Sequence, residues 1–216
     1  MAKPVERARP RLASDLTTSE ATLEDEAEIA EAILTGDLSG LVVEHAHLLG
    51  CRLVGVRLTG AELRRCRLVD CVIVDSDLSG VVLDGCTLTR VELRSCRLSG
   101  LQGAAVKYAD VALVGCRADG ANFRMSTWER AELEDCDLSD ADFGGAQLPA
   151  ARLVGCDLSG VDLSKCDLAG ASLQGSTLER ITGAEALRGV TLGSDQIVPA
   201  ALALFGALGI RVNDEV

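Results

Sequence analysis

Residues 36–60 read GDLSG LVVEH AHLLG CRLVG VRLTG when the sequence is divided into fives, and this period continues to Arg180. The stretch contains 29 consecutive pentapeptides without an insertion or a deletion. The third residue is Leu in 21 of the 29, and the first is Ala, Cys, Val or Ser in 26. Neither position ever carries a charge, and all nine cysteines occupy the first position. The period therefore governs where apolar residues occur.

A period of five fits neither a continuous helix nor a continuous strand, whose apolar residues recur every 3.6 and every 2 residues. It fits a coil with corners, in which each pentapeptide forms one side and points its first and third residues inward. The segments ADFGG, CDLSG, VDLSK and CDLAG (residues 141–145 and 156–170) closely match A(D/N)LXX. In this the chain resembles the pentapeptide-repeat family. The resemblance implies an all-β solenoid, a right-handed quadrilateral β-helix.

The pattern divides the chain into four predicted segments: a disordered basic tail over 1–14, an acidic capping segment over 15–35, the β-helix over 36–184 and a C-terminal α-helical segment over 185–216. Residues 17–34 allow two structures. A capping box from Thr17 to Glu20 precedes apolar residues at helical spacing, which favours a helix. Ile33 already falls in the five-residue phase, which favours a strand entering the first coil. Either structure would cover the open N-terminal rung.

The repeat is least regular between residues 101 and 128. Gly103 and Ala118 occupy third positions with less than the usual volume, while Tyr108, Phe123 and Trp128 occupy them with more. Phe123 follows Gly103 on the same ladder, so the volumes partly compensate. This irregularity predicts a local bend or bulge; a binding site is the alternative interpretation, because Tyr and Trp are common at interaction surfaces.

Composition and charge narrow the function classes. No apolar run is long enough to span a membrane, and residues 1–20 lack the apolar region of a secretory signal. An odd number of inward cysteines predicts reduced thiols in the cytoplasm. The net charge of −12 is uneven: residues 51–107 hold nine bases and six acids, whereas residues 108–168 hold five bases and twelve acids.

The sequence contains no recognisable catalytic, metal-binding or phosphate-binding motif. His45 and His47 are the only histidines, and no CxxC or HxxxH spacing supports a metal site. No phosphate-binding glycine motif occurs. The carboxylates repeat evenly along the predicted surface, unlike a catalytic pair whose environments split their pKa values. We therefore expect no catalytic residue, no metal and no cofactor, and we expect that the protein is not an enzyme.

The C-terminal segment predicts a homodimer. Ser194 or Asp195 can cap a helix that runs through Leu208, with Gly209 at its C′ position. This helix is apolar nearly all round, so part of it must be buried against another surface, most simply its own copy. The predicted contact residues are Leu202, Leu204, Phe205 and Leu208.

The stretch ALRGVTLGSDQIVPAALALFGALGI (186–210) resembles the C-terminal dimerisation segment of the Qnr-type and MfpA-type quinolone-resistance proteins. The stretch CRADGANF (116–123) resembles a segment of the Qnr type. The uninterrupted coil is more similar to the MfpA type. The resemblance implies an acidic dimer that imitates duplex DNA and engages DNA gyrase without binding nucleic acid or a membrane itself. The predicted partner-binding residues are Asp137, Asp140, Asp142, Asp157, Asp162 and Asp167.

One feature departs from a DNA-like surface: five arginines lie between residues 52 and 67. The alternative function is a structural scaffold for protein–protein interaction with an unknown partner, whose surface charges serve solubility.

Overall fold

The computed structural model describes residues 6–20 and 23–211 and shows a parallel β-solenoid closed by a C-terminal helix. The strands are β1 (Thr17–Glu20), β2 (Glu28–Ala30), β3 (Ala32–Thr35), β4 (Val42–Glu44), β5 (His47–Leu49), β6 (Arg52–Val54), β7 (Glu62–Arg64), β8 (Arg67–Val74), β9 (Val82–Asp84), β10 (Thr87–Arg94), β11 (Lys107–Val114), β12 (Thr127–Glu129), β13 (Glu132–Glu134) and β14 (Arg152–Val154). The helix α1 spans Ile197–Ala207, after two 3-10 turns at Ala184–Leu187 and Ser194–Gln196.

Parallel pairing between residues twenty apart builds the coil. Leu68 pairs with Leu88, Leu88 with Tyr108, and Tyr108 with Trp128. Four pentapeptides therefore complete one turn, and the predicted four-sided β-helix is confirmed. Each face is lined by third residues that lie twenty apart in sequence, and the chain visits the faces in the repeating order A, B, C, D. Face A is lined from Leu48 to Leu168, face B from Leu53 to Leu173, face C from Leu38 to Leu178 and face D from Val43 to Leu163.

The first and third residues of the pentapeptides form the core, as the period predicts. Leu133, Leu138 and Leu148 are completely buried, and all nine cysteines are buried and free of disulfides. Eight of the nine thiols, all but that of Cys166, donate to carbonyl oxygens of the preceding coil, as from Cys71 Sγ to Leu48 O at 3.5 Å. Burial raises the pKa of the Cys166 thiol to about 12. The cysteines therefore act as small core residues that also satisfy backbone acceptors.

Every side of the coil ends in the same backbone conformation. The fifth residue of each pentapeptide, from Gly40 to Arg180, has a positive φ, and glycine fills 14 of these 29 corners. The other corners carry side chains in the left-handed region, such as Asp70 (φ 55°) and Arg90 (φ 52°). This conformation is disfavoured for residues with a Cβ, so the packing of the whole coil must hold it in place.

The N-terminal segment is extended rather than helical. Strand β1 pairs with β3 at the first edge of the large sheet, and Leu23 is buried against the end of the core. The register here is one residue shorter than in the coil, because Leu34 pairs with Leu53. Leu34 is therefore buried where the five-residue phase would place Ile33, which is only half-buried. Strand pairing overrides the helical spacing of this segment.

The predicted disorder of the basic tail is wrong for residues 6–14. Ala8 and Arg11 donate backbone hydrogen bonds to side chains of the coil, and the Arg7 side chain is only 6% exposed. The reason is that outward acids of faces A and B accept these groups. Residues 1–5 lie outside the described part of the chain.

The irregular region 101–128 contains no bulge, because Gln102 and Asn122 keep the twenty-residue register. Its large residues instead form an aromatic cluster inside the coil. Tyr108 stacks on Trp128 with ring centroids 3.8 Å apart, and Phe123 meets Trp128 edge-on at 5.4 Å. The hydroxyl of Tyr108 points at Gly103, whose missing side chain provides the space.

The C-terminal helix is attached to the last coil by Gln196. Its Nε2 donates to Leu173 O (2.7 Å) and Ser176 O (2.6 Å), while its Oε1 accepts the Gly193 N–H (2.7 Å). The helix starts without a side-chain cap, so the predicted capping by Ser194 or Asp195 is wrong. Gly209 has φ 67°, as predicted for the C′ position. Thr191 still pairs with Ser172, so the coil extends beyond the predicted boundary at residue 184.

The aromatic cluster predicts opposite effects for two substitutions. Gly103→Ala places a Cβ against the Tyr108 hydroxyl and Leu101, and we expect it to lower the free energy of unfolding by about 1–3 kcal/mol. The Tyr108 hydroxyl is buried without a hydrogen-bond partner among the described residues. Tyr108→Phe should therefore raise that free energy by roughly 1 kcal/mol, and should reduce the cost of Gly103→Ala in the double variant. Denaturant unfolding measures both; additive effects would contradict the contact.

Candidate functional site

Five of the six predicted partner-binding aspartates lie along one edge of the solenoid, where face C meets face D. Asp137 and Asp157 are bridge partners in successive coils on face C, and Asp142 and Asp162 are bridge partners on face D. Asp140 occupies the corner between the two faces, with φ 55°. Successive coils lie about 4.8 Å apart, so the five carboxylates are close together. We call these five residues the acidic edge.

Asp167 does not extend the acidic edge. It lies on face A, where its bridge partner is Gln147. Face A is opposite face C in the four-sided coil, so Asp167 and Asp137 face different directions. The sequence period assigns residues to faces correctly, but sequence proximity to Asp162 is misleading here because each pentapeptide turns a corner.

Two arginines border the acidic edge on its N-terminal side. Arg117 Nε lies 3.7 Å from Asp137 Oδ2, and an Arg124 guanidinium nitrogen lies 3.0 Å from Asp142 Oδ2 and 3.8 Å from Asp162 Oδ2. Both arginine side chains are at least half exposed, so these pairs are weak. At the other end, the ladder neighbours of Asp157 and Asp162 are threonines rather than bases. Arg180 occupies the corner beyond Asp157, and its positive charge helps to lower the pKa of Asp157. Bases therefore border the acidic edge at both ends.

The N-terminal half of face C has a different charge pattern. Its bridge ladder runs Asp37, Arg57, Asp77, Arg97, Arg117. Arg57 pairs with Asp37 at 3.0 Å, and Arg97 lies 4.0 Å from Asp77. Opposite charges on neighbouring coils largely compensate one another there. An extended negative surface on face C is thus confined to its C-terminal half.

The ladder aspartates also stabilise the backbone of their own pentapeptides. Oδ1 of Asp137, Asp142, Asp157 and Asp162 accepts the backbone N–H of the residue two positions later, at 2.8–3.1 Å. This is the hydrogen bond of an Asx turn, which favours the tight turn that follows. An aspartate in the second position therefore has a structural reason to be there, independent of any partner.

The C-terminal helix presents a second candidate surface. Leu202 and Leu208 are 62% and 66% exposed, and Phe205 is 38% exposed. Leu204, also predicted to contact a second copy, is instead half-buried against the core of its own chain. Sequence reasoning missed Ile197, which is 65% exposed, and Val198, which is 66% exposed. Large apolar side chains exposed together are typical of an interaction surface.

An open groove of about 700 Å³ separates this helix from the last pentapeptides of the coil. Leu202, Ala203 and Gly206 line it on the helix side, and Leu178 and Ile181 line it on the coil side. Glu179, Arg180 and Thr182 also line the groove, so the apolar surface of the helix continues onto the end of the solenoid beside polar residues.

Comparison with known families agrees with this architecture. The family model described as "Pentapeptide repeat region" matches residues 46–123, and the model described as "Pentapeptide repeats (8 copies)" matches residues 119–153 and 145–180. Together they cover residues 46–180, more than half of the chain. The chain belongs to the pentapeptide-repeat family.

Solved pentapeptide-repeat structures are similar to the chain. One is HetL from the cyanobacterium Nostoc sp. strain PCC 7120, a protein involved in heterocyst differentiation regulation; it is 24% identical, with 78% of this chain and 84% of HetL covered and a TM-score of 0.47. Another is full-length QnrB1, a plasmid-mediated fluoroquinolone resistance protein, which is 20% identical with 90% and 100% covered and a TM-score of 0.36. These likenesses concern the fold alone. No curated protein sequence matches the chain.

Across residues 6–20 and 23–211, no three His, Cys, Asp or Glu side chains are grouped to hold a metal ion. In the same described residues, no helix has the length and apolar character needed to cross a membrane. His45 is exposed and His47 is half-buried at the surface of the first coils.

Hydrogen bonding lowers the pKa of two carboxyls of the acidic edge. The Ser159 side chain and then its backbone N–H lower the pKa of Asp157, and Ser164 lowers that of Asp162 in the same way. A carboxyl with a lowered pKa in the folded state stabilises the fold above its unfolded pKa of about 3.9. That contribution is lost as the pH falls from there through the folded pKa.

The turn hydrogen bonds predict how single substitutions change stability. Asp157→Ala removes the acceptor for the Ser159 N–H, and we expect it to lower the free energy of unfolding at pH 7 by roughly 0.5–1 kcal/mol. Asp157→Asn retains an Oδ1 acceptor and should cost less than half as much. The difference between wild type and Asp157→Asn should shrink below about pH 4. Thermal unfolding followed by circular dichroism measures this; equal losses for Ala and Asn would contradict the turn role.

Proposed function

We propose that this protein is a non-enzymatic, homodimeric DNA mimic whose acidic edge binds DNA gyrase, or another type II topoisomerase, and so gives resistance to quinolones or other gyrase poisons. The observation that carries the proposal is the placement of five carboxylates on two adjoining faces of successive coils. The parallel register fixes their backbone positions. A basic surface built to accept DNA is attracted to such a concentration of negative charge.

The imitation would be one of charge and outline rather than of individual phosphates. Coils are about 4.8 Å apart, whereas successive phosphates of one DNA strand advance about 3.4 Å along the helix axis. The carboxylates therefore cannot match every phosphate contact of a DNA-binding surface. Binding through the overall field should weaken as salt is added.

The exposed apolar residues of α1 support a homodimer. A second copy is the occupant that we propose, because the helix and the adjoining groove form a continuous apolar surface at one end of the solenoid. Two copies joined there about a twofold axis would make a longer rod with an acidic edge on each half. The resemblance of residues 186–210 to the dimerisation segment of Qnr-type and MfpA-type proteins supports the same arrangement.

Gyrase as the partner, and a cytoplasmic location with it, rest on that resemblance and on the chemistry of the core. Nine free thiols are compatible with a reducing compartment.

The second candidate function is a scaffold that binds another protein without imitating DNA. The observation that favours it is the Asx turn made by each ladder aspartate, which explains these residues without a partner. The compensated charges in the N-terminal half of face C also favour it.

The dimer is tested by placing a charge in the apolar surface. We expect Leu202→Glu and Leu208→Glu to convert a dimer into a monomer, because an isologous contact would bury each new carboxylate without a partner. Size-exclusion chromatography with light scattering measures the mass. Val42→Glu is the matched control, since Val42 is 51% exposed on face D, away from α1. If both helix variants remain dimers, the interface lies elsewhere. If wild type is a monomer, the protein does not form the proposed dimer.

The DNA-mimic proposal is tested on gyrase supercoiling, with and without a fluoroquinolone. Wild type should inhibit the enzyme or protect it, and the variant with Asn at 137, 142, 157 and 162 should lose at least tenfold in potency. Asn retains the turn acceptors, so the change removes charge while keeping the fold. The Asp37→Asn/Asp77→Asn variant is the control on the same face. No effect of wild type, or an unchanged effect of the quadruple variant, would favour the scaffold.

A further inference from the structure

The N-terminal tail lies along the corner between faces A and B. This corner carries Asp70, Arg90, Asp110 and Arg130 on successive coils. The backbone N–H of Ala8 donates to Asp110 Oδ1 at 2.9 Å, and that of Arg11 donates to Asp70 Oδ1 at 3.0 Å. The Asp70 and Asp110 side chains are only 10% and 9% exposed. The tail thus crosses several coils instead of following one.

The spacing of these two contacts matches an extended chain. Ala8 and Arg11 are three residues apart, and an extended chain rises about 3.3 Å per residue. Asp110 and Asp70 are two coils apart, which is also about 10 Å at 4.8 Å per coil. Because the donors are backbone groups, these contacts recognise an extended peptide without regard to its side chains.

A third contact recognises a side chain. Arg7 Nε lies 3.1 Å from Glu132 Oε2, and another nitrogen of its guanidinium lies 3.4 Å from Glu92 Oε2. Ala112 is the ladder neighbour of both glutamates and is completely buried. Its small side chain leaves room between them for the guanidinium, which is planar and suits two flanking carboxylates.

The coil holds most of these carboxylates in place without help from the tail. Arg90 makes two bonds of 2.7 Å to the Asp70 carboxylate, and Arg130 makes bonds of 2.6 and 2.8 Å to that of Asp110. Arg94 also pairs with Glu92. Arg90 and Arg130 belong to the coils after their aspartates, and Arg94 lies on the same strand as Glu92. Three of the four acceptors are therefore held by the coil itself, whereas Glu132 pairs with Arg7 of the tail. Departure of the tail would break none of the coil's own hydrogen bonds.

We propose that this corner is a binding groove for an extended arginine-containing peptide of another protein, and that residues 7–11 are its built-in, displaceable ligand. The groove selects an arginine followed by free backbone N–H groups one and four positions later. A covalently attached ligand has a high effective concentration, so a partner peptide competes poorly until the tail is weakened or removed. This surface lies on faces A and B, away from the acidic edge.

The test uses the full-length protein and a fluorescent peptide with the sequence of residues 4–14, PVERARPRLAS, with binding measured by anisotropy. Arg7→Ala in the protein weakens its own tail, so this variant should bind the peptide at least tenfold more tightly than wild type. Within the peptide, Arg7→Ala should reduce binding to that variant at least tenfold, and Ala8→Pro, which removes an N–H donor, should also weaken it. Arg9→Ala is the control peptide, because Arg9 is exposed.

Two further proteins separate the groove from general charge attraction. Adding Glu92→Gln and Glu132→Gln to the Arg7→Ala protein should abolish binding of the peptide. Adding the four Asn substitutions of the acidic edge instead should leave binding unchanged. The proposal is overturned if the Arg7→Ala protein does not bind the peptide or binds it no more tightly than wild type does. It is also overturned if binding does not depend on the peptide's arginine at position 7. Melting curves confirm that each variant is folded.

Discussion

The left-handed corner at every fifth residue is the constraint on which the rest of this solenoid depends. It turns the chain after each short side, so that the residue following it points inward again. In 15 of the 29 pentapeptides the corner residue has a side chain, although this backbone region favours glycine. The unfavourable conformation is maintained because the neighbouring coil pairs on both sides and because the Leu and Cys ladders fill the interior.

This architecture separates stability from recognition. The inward positions are restricted to apolar residues, and the aromatic cluster around Trp128 shows that even there the volumes must compensate from coil to coil. The outward positions are free to carry charge, and their ladders bring together residues twenty apart in sequence. Face C shows this: the same backbone carries alternating opposite charges in its N-terminal half and neighbouring aspartates, Asp137 and Asp157, in its C-terminal half.

An aspartate in this setting acts in two ways at once. Asp157 holds the turn of its own pentapeptide and also contributes charge to the acidic edge. Asp70 and Asp110 are held by corner arginines and also accept backbone groups of the tail. The corner arginines and Arg7 of the tail compensate the acids at the junction of faces A and B, whereas the acidic edge lies at the junction of faces C and D.

The sequence by itself determined the four-sided coil, its buried cysteines and the face of each ladder residue, because a strict period assigns every residue to one side. It also predicted the C-terminal helix and its Gly209 terminus. It did not predict the path of residues 6–14 or the burial of Leu204, and it left helix and strand open for residues 17–34. These depend on contacts between segments far apart in sequence: Arg7 meets Glu92 and Glu132, and Leu34 pairs with Leu53. Periodicity describes what repeats, whereas the structures at both ends of the coil are decided by tertiary contacts that occur only once.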